Sequence, residues 1–85
     1  MDCRVISVSG VVQGVGFRPY VHGLATRLGL HGSVRNRTGD VLIEVEGESE
    51  SLDRFVAELT TRPPPLARID GVRCSPSRPR GDPHF

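Results

Sequence analysis

Two stretches of this chain carry apolar residues at helical spacing, and strand-like stretches flank both of them. Within 85 residues that interleaving leaves room for few folds. Val21, Leu24, Ala25 and Leu28 fall at i, i+3, i+4 and i+7, the stripe of a helix over about 19–28. Pro19 stands at its expected first position, where a missing N–H costs nothing. Gly29 followed by Leu30 predicts a left-handed C-cap with its hydrophobic contact. Leu52, Phe55, Val56 and Leu59 repeat the spacing and predict a second helix over about 50–60. Ser49 or Ser51 is its expected N-cap, and Pro63-Pro64-Pro65 stops it. Around these helices, residues 3–11, 33–37, 41–46 and 67–74 read as strands. In the third, Val41, Ile43 and Val45 alternate with Leu42, Glu44 and Glu46, and Thr38-Gly39-Asp40 makes a hairpin turn before it.

The order is therefore βαββαβ. Right-handed crossovers place both helices on one face of a four-stranded antiparallel sheet, an α+β sandwich of ferredoxin-like topology. In that topology the first and fourth strands are antiparallel neighbours, which brings Cys3 towards Cys74. Two reduced thiols are the expectation, with a disulfide as the alternative. Residues 1–75 form the expected domain, and 76–85 a Pro/Arg-rich tail that could begin a missing edge strand.

Composition narrows the function classes. Aromatic residues are only 5% of the chain, so the core must be built mainly from Val, Leu and Ile. Eleven basic residues against ten acidic ones give a net charge of +1, which argues against a generic nucleic-acid binder. Every basic side chain is Arg, which codon bias explains more simply than function does, and a catalytic lysine is excluded. No apolar run approaches the roughly 20 residues that span a bilayer. No charged n-region with an apolar h-region opens the chain. The expectation is a soluble, cytoplasmic protein with no membrane partner.

Two cysteines are too few for a zinc cluster, and His22, His31 and His84 lack ligand spacing, so neither metal nor cofactor is expected. Glu44, Glu46, Glu48 and Glu50 read as the solvated face of a strand and its exit loop. Arg35 and Arg37 read as a solvent-facing strand surface that could add positive potential, and Arg78 and Arg80 as solubilising residues.

The chemistry lies between Gly10 and Pro19, where a strand end, small residues, an arginine and a helix N-terminus converge. Glycines let successive N–H groups point into one cavity as an anion nest. The helix N-terminus adds partial positive charge, and an arginine fork can grip two phosphoryl oxygens. A dinucleotide fingerprint would need a third glycine where Pro19 stands, and a P-loop would need a lysine. On spacing alone, the same glycines could equally serve only a sharp strand-to-helix turn, with Arg18 a solvated charge.

The run Val12-Gln13-Gly14-Val15-Gly16-Phe17-Arg18, the helix ending in Leu28-Gly29-Leu30, and then His31-Gly32-Ser33-Val34-Arg35-Asn36 together resemble the acylphosphatase family. The hairpin strand, the helix with Leu52 and Phe55, and Ala67-Arg68-Ile69-Asp70 extend the likeness over roughly 4–74. Pro19 after the arginine looks closer to the N-terminal domain of hydrogenase-maturation carbamoyltransferases. The resemblance implies that the amides of Gln13, Gly14, Val15, Gly16 and Phe17 cradle a phosphoryl group. It implies that Arg18 binds its oxygens and that Asn36 orients the attacking water.

The substrate so implied is a small-molecule acyl phosphate, with no cofactor or nucleic acid. In the carbamoyltransferase variant the chain would act on carbamoyl phosphate beside further domains, the next of which carries paired CxxC motifs. A non-enzymatic anion- or RNA-binding module would need aromatic residues on exposed strands, and Val34, Val41, Ile43 and Val45 supply none. Two departures from the family pattern are the reordered Thr38-Gly39-Asp40 turn and an end at Phe85, about where a further edge strand is expected. That end reads as a truncated, excised or minimal version.

Overall fold

The computed structural model describes residues 2–14 and 16–78. Its elements are β1 (Asp2–Val11), α1 (Phe17–Arg27), β2 (His31–Arg37), β3 (Asp40–Gly47), α2 (Ser49–Thr61) and β4 (Arg68–Ser77), the expected order. They form one antiparallel four-stranded sheet in the order β2-β3-β1-β4. Among the described residues no helix is long and apolar enough to cross a membrane.

The strand period of two decides what is buried. On β1, Ile6 and Val8 face the helices, level with Ile43 and Val41 of β3. With Val45 they close over Phe17, Val21, Leu24, Leu52, Phe55 and Leu59 in one continuous core. The aliphatic core expected from composition is present, with Phe17 and Phe55 as its largest members. Polar ties fasten the helical layer. Tyr20 Oη donates to the Glu58 carbonyl at 3.1 Å, Arg27 pairs with Glu58 at 2.8 Å, and Arg4 pairs with Asp53 at 2.7 Å.

The C-terminus of α1 is a Schellman motif. Gly29 N–H donates to the Thr26 carbonyl at 3.1 Å and Leu30 N–H to Ala25 at 2.8 Å, with Leu30 buried. At the other end the helix starts earlier than expected. Phe17 is its first residue and Pro19 its third, and the first bonded amide, Tyr20 to Gly16, lies just beyond the proline. Every amide of the first turn lacks an intrahelical partner, so proline is tolerated throughout it. For α2 the N-cap is Glu48, not Ser49 or Ser51, and no side chain bonds the first turn.

Three further expectations are corrected. Cys3 lies opposite Ser77, and Cys74 opposite Ile6, so the thiols are three rungs apart and no disulfide joins them, Cys3 being buried and Cys74 exposed. The cause is β4, which pairs on to Ser77 and so takes Pro76 and Ser77 out of the expected tail. Glu46 is only 3% exposed, because β3 is an interior strand and Glu46 sits level with Cys3 on one side and His31 on the other. Val41, Ile43 and Val45 are not on an exposed face at all but under the helices. The open face, with Val5, Leu42, Arg35, Arg37 and Arg73, carries no aromatic side chain among the described residues. Arg80, His84 and the remainder of the tail from residue 79 lie outside the described residues.

Candidate active site

The site begins where β1 leaves the sheet. The register with β4 shifts between Ser9 and Gly10, a bulge that turns the strand end. Gly10 has φ of 129°, and a Cβ there would collide with the Arg68 carbonyl oxygen, so the backbones of β1 and β4 approach as only glycine permits. Val12 is buried and anchors the exit, and beyond it Gln13, Gly14 and Gly16 are exposed. Gly14 and Gly16 are left-handed, with φ of 75° and 79°. Val15, the middle of the expected cradle, lies outside the described residues.

Gly16 is the N-cap of α1 and, having no side chain, leaves the first-turn amides uncapped; no acidic residue stands in that turn either. The positive end of the helix dipole is thus open to an outside anion. Phe17, 1% exposed, pins the turn into the core, while Arg18 projects beside it at an exposed position. No ion pair joins Arg18 to another described residue.

Asn36 comes from the edge strand β2. It lies level with Val41, which lies level with Val8, so Asn36 is on the helix-facing side of the sheet, where α1 packs against β2. Its amide is exposed. Arg35 and Arg37, its chain neighbours, alternate to the opposite face and do not share its surroundings.

A contact that spacing did not reveal ties the loop to this strand. Gln13 Nε2 donates to the Arg37 carbonyl at 2.6 Å and to the Asp40 carbonyl at 3.0 Å, the two residues of the last rung between β2 and β3. Under the same rung, Arg37 pairs with Asp40 at 2.7 Å and Ser7 Oγ donates to Asp40 at 2.7 Å. The Arg37 and Ser7 hydrogen bonds hold the Asp40 carboxyl down at about 2, below the ordinary aspartate range. The same ion pair raises Arg37. An Arg and an Asp at i and i+3 across a glycine turn was the signal in the sequence, read there only as a turn.

A broad concavity of about 570 Å³ lies on the open face of the sheet, lined by Ser7, Ser9, Arg37, Asp40, Leu42 and Arg73 among others. Among the described residues, its lining includes none of Gln13, Gly14, Gly16, Phe17 and Arg18, and not Asn36. A smaller hollow of about 230 Å³ abuts the loop at Gly10, Val12, Gln13 and Gly39. No cluster of three or more metal-ligating side chains occurs among the described residues.

This loop, helix start and hairpin have a family counterpart. The acylphosphatase family model matches residues 4–85. The chain belongs to the acylphosphatase family. It is 40% identical over 82 residues to the acylphosphatase of Thermotoga maritima, covering 95% of this chain and 90% of that one. It is also 52% identical over 72 residues to the carbamoyltransferase HypF of Rhodobacter capsulatus, covering 85% of this chain but 9% of the relative. The chain spans only 8% to 10% of the length of the carbamoyltransferases first among its relatives.

Solved structures show the same two kinds of relative. The acylphosphatase of Bacillus subtilis matches with a TM-score of 0.90 at 37% identity, over 99% of this chain and 93% of that one. Full-length HypF in its phosphate- and nucleotide-bound form matches with a TM-score of 0.96 at 37% identity, over 99% of this chain and 11% of that one. The ferredoxin-like sandwich is thus the acylphosphatase fold, which also stands as one part of larger HypF proteins.

Proposed function

We propose that this acylphosphatase domain hydrolyses acyl phosphates to a carboxylate and inorganic phosphate, with the loop from Gln13 to Phe17 as cradle and Arg18 and Asn36 as catalytic residues. The observation that carries the reading is the uncapped start of α1, framed by left-handed Gly14 and Gly16 and flanked by an exposed arginine. Amide N–H groups there donate to the phosphoryl oxygens, and Arg18 adds a charged fork that strengthens as charge builds on them.

Water, held by the Asn36 amide, attacks phosphorus. The bond from phosphorus to the acyl oxygen breaks, the electron pair leaves with the carboxylate, and both protons of the water go with the phosphate product as dihydrogen phosphate, which then equilibrates with solvent. A carboxylate leaves without protonation, so positioning and electrostatic stabilisation supply the catalysis and no perturbed acid or base is needed. Cys3 and Cys74 are not joined in a disulfide, which suits a reducing compartment, and a cytoplasmic location belongs to the proposal.

The test is phosphate release from benzoyl phosphate. Arg18→Ala and Asn36→Ala should each lower kcat by about 10²-fold or more with the fold intact; wild-type rates in both would reject the assignment.

A second reading, favoured by the 52% identity to a HypF carbamoyltransferase, is that the domain serves a larger protein acting on carbamoyl phosphate. Preference for carbamoyl over benzoyl phosphate, and paired CxxC codons downstream of codon 85, would select it. Indifference to the acyl group would favour the general hydrolase.

A further inference from the structure

We infer that the Gln13 side chain is a positioning residue that sets the distance between the phosphoryl cradle and Asn36; this rests on the functional reading above. Its two hydrogen bonds, at 2.6 and 3.0 Å, end on the carbonyls of Arg37 and Asp40. Arg37 is the chain neighbour of Asn36, and Asp40 is its partner across the final rung of the hairpin. The two catalytic groups stand on different elements, Arg18 on α1 and Asn36 on β2. The sheet joins the end of β1 to Asn36 by two lateral pairings, Val8 with Val41 and Val41 with Asn36, and the pairing of β1 with β3 stops at Ser9 and Asp40. Beyond that last pair, Gln13 ties the loop itself to the hairpin.

Both acceptors lie at the turn end of the β2–β3 hairpin, and β2 is an edge strand with no outer neighbour among the described strands. The side chains of Ser7, Asp40 and Arg37 brace the rung from the open face, and Gln13 holds it by the backbone. The amide of Gln13 is suited to this, since one NH2 group supplies two donors to two carbonyls. A displacement of about 1 Å at a reacting geometry can cost about 10²-fold in rate, so a tie this close to the water-holding residue acts on turnover.

Gln13→Met keeps the length of the side chain and removes both donors; Gln13→Glu keeps the shape and sets oxygens against the two carbonyls. Each variant should lower kcat on benzoyl phosphate by about tenfold or more. Inhibition by inorganic phosphate, which reads the amides and Arg18, should change by less than about threefold. A parallel loss of kcat and phosphate inhibition would mean that Gln13 holds the phosphoryl group itself and would overturn the positioning role, as would wild-type kcat in both variants.

If the wild-type chain hydrolyses no acyl phosphate, the functional reading fails while this one is still decided by NMR. The Asn36 side-chain amide should then shift in Gln13→Met without substrate, and an unmoved resonance would overturn the inference. Gln13 is exposed, so both variants should unfold at close to the wild-type temperature.

Discussion

Asp40 shows how one side chain serves the turn that the site depends on. Its carboxyl is held at about 2, first by the Arg37 hydrogen bond and then by Ser7, below the ordinary aspartate range. A carboxylate depressed in the folded state stabilises the fold above the unfolded value, and that contribution disappears as pH falls towards the folded one. Asp40→Asn should therefore be less stable than wild type at neutral pH, and the gap in denaturation midpoint should close between about pH 4 and 2. A gap that persisted below pH 2 would place the effect elsewhere. The residue scale is also where the sequence was least explicit. Asn36 and Arg37 are adjacent letters on opposite faces, and only the registered alternation of β2 separates the exposed amide beside α1 from the ion pair under the turn.

At the scale of elements, the proposed site is a junction between the end of β1 and the start of α1, and its glycines act for two different reasons. Around Gly16 nothing lies within 4 Å of an added Cβ, so Gly16→Ala meets only the cost of a left-handed backbone, about 1–2 kcal/mol. Gly10→Ala meets a comparable penalty and a collision with the β4 backbone as well. Urea titrations should thus rank Gly10→Ala below Gly16→Ala, whereas phosphate inhibition should suffer more in Gly16→Ala, which alters the proposed cradle itself. Equal behaviour in both assays would contradict this division.

The order of elements, both apolar helix stripes and the C-cap at Gly29 were legible because each depends on neighbours in the chain. The start of α1 was misjudged by two residues and the N-cap of α2 by at least one. First-turn amides accept several local arrangements, and burial of Phe17 decides among them at α1.

For the whole molecule, a core of few aromatics concentrates its energy in few places. Phe55 is fully buried beneath α2 and among the largest core side chains. Phe55→Ala should cost about 3–5 kcal/mol. In a domain of this size that lowers the thermal midpoint by more than about ten degrees, a drop calorimetry would resolve. A shift of only a few degrees would mean that the core collapses around the gap.

The glycine loop after β1 and the helix behind it could be located from the linear chain, because apolar period and glycine placement are local properties, whereas the roles expected of Arg18 and Asn36 came from the resemblance to acylphosphatases. The sheet order could be reasoned from the element order. Tertiary structure decided the rest, because it depends on register, and register is a relation between distant segments. Pairing of β4 as far as Ser77 separated Cys3 from Cys74, and the interior position of β3 buried Glu46. The folded sheet also brought the Gln13 amide to two carbonyls at the far end of a hairpin.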